Sequence, residues 1–220
     1  MPPRPVLERS LIDLSDNVLR LASMVDQALA LAMRALVERN AALAAQVSAN
    51  DQQLNRLRYA IEEECYRLLA MQHPNATDLR HLVGTVSVAT NLERIGDHAA
   101  GVARLALRMI DAPPPRPLVD IPQMAVIGRE MVRGAVQAFM THNVALAEAI
   151  ILRDQEIGQL QKRTFREMID LMTELPYLVE RATFLLWISH NLERVGDRAT
   201  NICERAIYVV TGEMREHSER

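Results

Sequence analysis

The sequence predicts an all-α fold of two tandem three-helix bundles, six helices with internal pseudo-symmetry. Three observations predict it: a helix-forming composition, the placement of proline, and a duplicated helix motif. Aromatics are only 4% and glycine is sparse, while Ala, Leu, Arg, Glu, Gln and Met dominate. Those side chains lose least on entering a helix. At 220 residues the chain can bury a sizeable core, as one large domain or two small ones.

Proline marks the breaks, because inside a helix it removes a hydrogen bond and clashes with the preceding turn. Pro2, Pro3 and Pro5 open the chain, and Pro74 and Pro176 fall in predicted helix connections. Pro113, Pro114, Pro115, Pro117 and Pro122 crowd one central stretch, Asp111 to Pro122, which reads as a stiff extended linker. The expected division is a first bundle over 6–110, a linker over 111–121 and a second bundle over 122–212.

Between the breaks the period is helical. In the first helix Leu7, Leu14, Leu21, Ala28 and Ala35 alternate with Leu11, Val18, Val25 and Ala32 at heptad spacing, a buried seam with polar residues outside it. A turn near Arg39 to Ala41 leads to a second helix ending about Met71, and the Pro74 loop leads to a third ending near Ile110. The second half repeats this as Pro122 to Met140, Ala145 to Glu174 and Tyr177 to Val210.

The halves also match residue by residue. Asn40-Ala-Ala-Leu-Ala-Ala-Gln-Val47 parallels Asn143-Val-Ala-Leu-Ala-Glu-Ala-Ile150, and Asp51 falls at the same offset as Asp154. Asn91-Leu-Glu-Arg-Ile-Gly-Asp-His-Ala99 and Asn191-Leu-Glu-Arg-Val-Gly-Asp-Arg-Ala199 differ at only two positions, one of them conservative, so the third helices match best.

Composition removes several function classes. A net charge of −3 gives no basic excess for tracking a nucleic-acid backbone. Cys65 and Cys203 fit no CxxC or zinc-ligand pattern and read as reduced thiols packed on helices. The start, MPPRPVLERS, lacks the apolar core of a signal peptide, and no apolar run approaches the roughly 18 residues of a membrane span. A soluble cytoplasmic protein is expected.

Chemistry is most readily placed on the duplicated motif. Glu93 and Asp97 are four apart on a helix, as are Glu193 and Asp197, so each pair shares a face with side chains roughly 5 to 6 Å apart. Like charges at that spacing are mildly destabilising, and Gly96 and Gly196 each add a helix cost of about 1 kcal/mol relative to alanine. Both costs recur in both halves, which points to a reason beyond local helix stability.

The antiparallel hairpin supplies a candidate reason. Asp51 lies 23 residues before Pro74 and Asp97 lies 23 after it, while Asn55 and Glu93 each lie 19 away, so the four should come level. In the second half Asp154 lies 22 before Pro176, with Glu193 and Asp197 lying 17 and 21 after it. Gly158 stands at Asn55's place, and Asn201 and Glu204 beyond Asp197 could compensate, where the first half has Gly101 and Arg104. Arg94 and Arg194 are expected to point to another face. Carboxylates converging without paired cations suit a hard or intermediate metal, Mg, Mn or Fe, with Zn less preferred. The bland alternative is a solvated acidic stripe. His98 and His190 occur in one repeat each and are read as polar contacts.

Catalysis finds little support. A carboxylate-bridged di-iron bundle needs Glu-x-x-His on two helices, and no Glu here is followed three residues later by His; the nearest pattern is Asp78-x-x-His81. Neither GxSxG, a Cys/His pairing nor a glycine-rich phosphate loop is present. No organic cofactor is implied. A metal-dependent bundle enzyme or metal store is the competing reading.

The QHPNATDLR stretch from Gln72 to Arg80, NLERIGDHA from Asn91 to Ala99 and NLERVGDRATNICE from Asn191 to Glu204 resemble the PhoU family of phosphate-signalling proteins. With the duplication, the resemblance covers nearly the whole chain apart from the termini and linker. It implies two pseudo-symmetric three-helix bundles. It also implies a negative regulator of phosphate uptake that links the ATPase subunit of a phosphate ABC transporter to a sensor histidine kinase. Some members hold metal clusters through paired E/D-xxx-D motifs, which fall here on Asp51 with Asn55, Glu93 with Asp97, Asp154 with Gly158, and Glu193 with Asp197. Asn55 and Gly158 depart from that pattern. A non-enzymatic adaptor, working as a homodimer and reaching the membrane only through its partners, is the resulting expectation.

Overall fold

Seven α-helices and one short 3-10 turn make up the computed structural model, which describes residues 4–72, 74–115 and 118–213; no strand occurs among them. The first half holds α1 (Arg4–Glu38), α2 (Ala41–Gln72) and α3 (Ala76–Arg108). The second holds α4 (Asp120–Met140), α5 (Val144–Leu152), α6 (Asp154–Glu174) and α7 (Val179–Thr211), with the 3-10 turn at Pro176–Leu178. The helix expected over Ala145 to Glu174 is therefore divided at Arg153. Its guanidinium pairs with Glu130 of α4 at 2.9 Å and with Glu156 of α6 at 3.3 Å.

Local chemistry repeats along with the helices. Arg39 and His142 both take positive φ, 51° and 52°, and each is followed by an asparagine that caps the next helix. Asn40 Oδ1 accepts from the backbone N–H of Ala42 and Leu43, and Asn143 Oδ1 from that of Leu146. Each cap satisfies amides the first helical turn would otherwise leave bare. Asn75 does the same for α3 through Thr77 and Asp78. Pro122 lies in the first turn of α4, two residues inside its start, where no intrahelical N–H is needed. Arg116 and Pro117 of the linker, like Pro2 and Pro3, lie outside the described residues.

The heptad positions of α1 from Leu7 to Ala35 are buried, apart from the half-buried Leu11. Buried apolar side chains from both halves form one cluster running from Leu7 to Val209. The two motif-bearing helices, α3 and α7, lie side by side and antiparallel at its centre. Their contacts run in opposite directions, with Asn91 meeting Asn201, His98 meeting Asn191 and Arg108 meeting Phe184. Gly84 faces Val209, whose Cγ2 would lie 2.8 Å from a Cβ there. No helix among the described residues is long and apolar enough to cross a membrane.

Candidate functional site

The register counted from the prolines places Asp51 of α2 beside Asp97 and Glu93 of α3. Asp51 is raised above the usual carboxylate range, first by burial and then by the charge of Asp97, with Arg104 opposing. Glu93 is raised as well, again first by burial and then by Asp97, with a smaller push from Asp51 and an opposing pull from Arg94 and Arg58. Asp51 and Glu93 therefore feel Asp97 and each other across the hairpin, and the charged forms of Asp51 and Glu93 are costly in the fold. Asn55 donates back to the Asp51 carbonyl at 3.4 Å.

The second cluster is built differently. Asp154 sits against the motif glycine, its Oδ1 2.9 Å from where a Cβ of Gly196 would be. Glu193 Oε2 lies 3.7 Å from Arg194 and 3.8 Å from His190. Asn201 donates to Asn91 Oδ1 at 3.4 Å, across the seam between the halves. Gly158 faces open space, so nothing in the packing demands its lack of a side chain.

The arginines of the motif do not point away, as the sequence had suggested. Three residues along a helix is close enough for a long side chain to fold back: Arg94 reaches Asp97 at 3.6 Å and Arg194 reaches Asp197 at 3.0 Å. Side-chain exposure tracks the difference, with 42% for Asp97 and 19% for Asp197. Among the described residues no group of three or more His, Cys, Asp or Glu side chains converges closely enough to hold a metal ion as it stands. The arginine contact is looser in the first half than in the second. Asp51, Glu93 and Asp97 are oxygen donors whose charge is only partly balanced by arginine, which fits a hard divalent cation.

The motif glycines have a packing role. A Cβ on Gly96 would lie 2.8 Å from Leu54 Cδ1, and one on Gly196 would lie 3.0 Å from Ile157 Cδ1. Each glycine lets its hairpin partner approach, bringing Asp51 and Asp154 level with the motif acids. Asn91 and Asn191, which open the motif, were not singled out as functional from sequence. Their signal was there, the same residue in both copies, but which helix they face was not.

Two segments of the chain, residues 18–106 and 121–206, match the PhoU domain. The chain belongs to the PhoU family. The family pattern thus falls once on each half, the same division that the duplicated helices show. A Pseudomonas putida protein named phosphate-specific transport system accessory protein PhoU homolog is 35% identical over 91% of this chain and 78% of its own length. A Clostridium acetobutylicum protein of the same name is 33% identical over 95% and 96%. The crystal structure of PhoU from Pseudomonas aeruginosa superposes with a TM-score of 0.90 at 33% identity, covering 94% of this chain and 99% of that one. The phosphate transport system regulatory protein PhoU from Streptococcus pneumoniae gives 0.88 at 31% identity, covering 96% and 99%. The PhoU fold is therefore shared along nearly the full length, seam included.

Proposed function

We propose that this chain is an accessory protein of phosphate transport. In this reading it restrains phosphate uptake and the phosphate-starvation response as a cytoplasmic, non-enzymatic adaptor, a homodimer between the ATPase subunit of a phosphate ABC transporter and a sensor histidine kinase. The observation that carries the reading is the likeness, over more than nine-tenths of the chain, to proteins named as accessories of phosphate-specific transport. Long helices with exposed Tyr59, Tyr66, Phe165 and Ile169 offer the faces such docking needs.

Within that role Asp51, Glu93 and Asp97 would hold a divalent cation such as Mg, Mn or Fe. The cation would supply the positive charge that Arg58, Arg94 and Arg104 supply only in part. Arg194 holds Asp197 more closely than Arg94 holds Asp97, so the first cluster is the stronger candidate.

Elemental analysis of purified protein, run beside a pull-down from phosphate-replete cells, tests both parts. The expected result is capture of transporter and kinase subunits, with bound metal that disappears in the Asp51→Asn/Glu93→Gln variant. Metal-free protein that captures neither subunit would overturn the reading.

A further inference from the structure

Where the end of α3 passes the start of α7, the seam opens into a groove of about 540 Å³. Gly101, Arg104 and Arg108 line one side and Phe184, Trp187 and Asn191 the other. Gly101 keeps the floor open, since a Cβ there would lie 2.8 Å from Asn191 Oδ1. The Arg108 guanidinium lies over the Phe184 ring, 4.4 Å from its centroid, and that stacking steadies the cation at the groove wall. Its ion pair with Glu180 is 3.4 Å long between two side chains that are mostly exposed, so a better-placed carboxylate displaces it at little cost. Arg104 stands one turn before Arg108 and is exposed. Trp187 leaves 55% of its surface in solvent.

The duplication provides an internal control. The motif helices correspond at an offset of 100, so the other end of the seam sets Asn201, Glu204 and Tyr208 against Gly84, Ser87 and Asn91. There Glu204 stands in the place of Arg104, serine in that of tryptophan, and Val209 and Phe139 crowd the space over Gly84. Packing α3 on α7 is achieved at that end without an arginine pair or an exposed indole. The arginine–aromatic set is thus an addition at one end, and helix packing does not explain it.

We propose that this groove is the docking site for an acidic helical segment of a partner protein, anchored by an apolar side chain. Two arginines one turn apart match carboxylates four residues apart on an incoming helix, and guanidinium–carboxylate pairs are among the strongest polar contacts available. An apolar residue on the same face covers the exposed Trp187, the arrangement of a helix laid in a groove. From Gly101 to Arg108 the wall runs roughly 10 Å, the rise of about two helical turns. The proposal stands on the groove and does not require that the partner belong to a phosphate transporter.

Trp187 is the single tryptophan of the chain, so its emission reports occupancy without a label. The full chain is titrated with an amphipathic peptide carrying Glu at four-residue spacing beside Leu and Phe, with the same peptide bearing Lys for Glu, and with ATP. The acidic peptide should shift Trp187 emission to shorter wavelength and saturate. The Arg104→Glu/Arg108→Glu variant, its helical circular dichroism unchanged, should lose about tenfold or more in affinity for that peptide and gain it for the Lys peptide. No shift with the acidic peptide, equal binding of both peptides, or binding indifferent to the arginine reversal overturns the proposal. So does a saturable shift with ATP alone, which makes the groove a nucleotide site. A shift that grows with protein concentration and no peptide assigns it to a second copy of the chain and overturns it too. A phosphate-response reporter in cells carrying Arg108→Glu alone, since Arg104 also acts on Asp51, separates the readings: an unaltered response beside weakened peptide binding leaves the groove assigned and removes it from phosphate signalling.

Discussion

A methyl group at Gly196 would meet Asp154 Oδ1 at 2.9 Å and Ile157 Cδ1 at 3.0 Å, whereas one at Gly158 meets nothing within 4 Å. The two glycines look alike in sequence, each an apparent cost in the middle of a helix, but their surroundings give opposite signs. Gly158→Ala should raise stability by roughly 0.5 to 1 kcal/mol, the ordinary helix-propensity gain. Gly196→Ala gains the same propensity but overpacks the hairpin, and overpacking typically costs about 1–3 kcal/mol, so a net loss of roughly 1 kcal/mol is expected. Urea unfolding of the two variants checks both; a stabilised Gly196→Ala would show that the close approach is not required. The recurrence of a costly glycine was legible in the sequence, and so was the register that sets Asp51 near Asp97. The neighbour forcing each glycine was not, because periodicity names a buried face without naming what covers it. The reach of Arg194 to Asp197 escaped for a related reason: helix position fixes a Cβ, while a long side chain can still fold back along its own helix.

Between helices, the hairpins of each half could be read from proline spacing, but the α3–α7 seam could not. Antiparallel neighbours joined by a short loop come level by counting, whereas helices from different halves carry no such ruler. The α3–α4 contact beside the seam has a pH-sensitive member. His81, in the first turns of α3, stacks on Phe139 of α4 with ring centroids 5.4 Å apart, and His142 beyond α4 lies 5.5 Å away. Burial first, and then His142, lower the pKa of His81 below its ordinary 6.5, with Asp78 opposing. A histidine depressed in the fold binds its proton more readily when unfolded. Its neutral form keeps full stability above pH 6.5, and stability is lost as pH falls below 6.5 toward the depressed folded value. His81→Phe keeps a stacked ring and removes the titration, so its stability should decline less than that of the unaltered chain between pH 7 and about 5. Equal slopes in urea midpoint against pH for the two proteins would sink this assignment.

Across the whole molecule the proline-rich stretch invites a picture of two separate bundles on a tether, yet the contacts bind the halves along their length. Asp26 of α1 and Arg129 of α4, 103 residues apart and so at equivalent places in the two halves, form a bidentate pair at 2.8 and 2.7 Å. That spacing equals the offset between Asn40 and Asn143, which places the pair across the pseudo-symmetry axis. Arg181 of α7 donates to the Ala112 carbonyl at 2.8 Å, fastening the start of the linker to the second half. Val209 and Phe139 close over Gly84, and a single apolar cluster runs through both halves. Separating them would strip α3 and α7 of their shared face and expose apolar surface, at about 25 cal/mol for each Å². Neither half has an independent route to a covered third helix, so the two should unfold together. Trp187, on α7 beside the seam, reports the second half and its contact with α3, while far-UV circular dichroism reports helices of both. In urea the two signals should trace one superimposable transition. A tryptophan transition displaced from the helical one, with about half the helical signal surviving it, would mean that each bundle holds its own core and that the seam is only a contact.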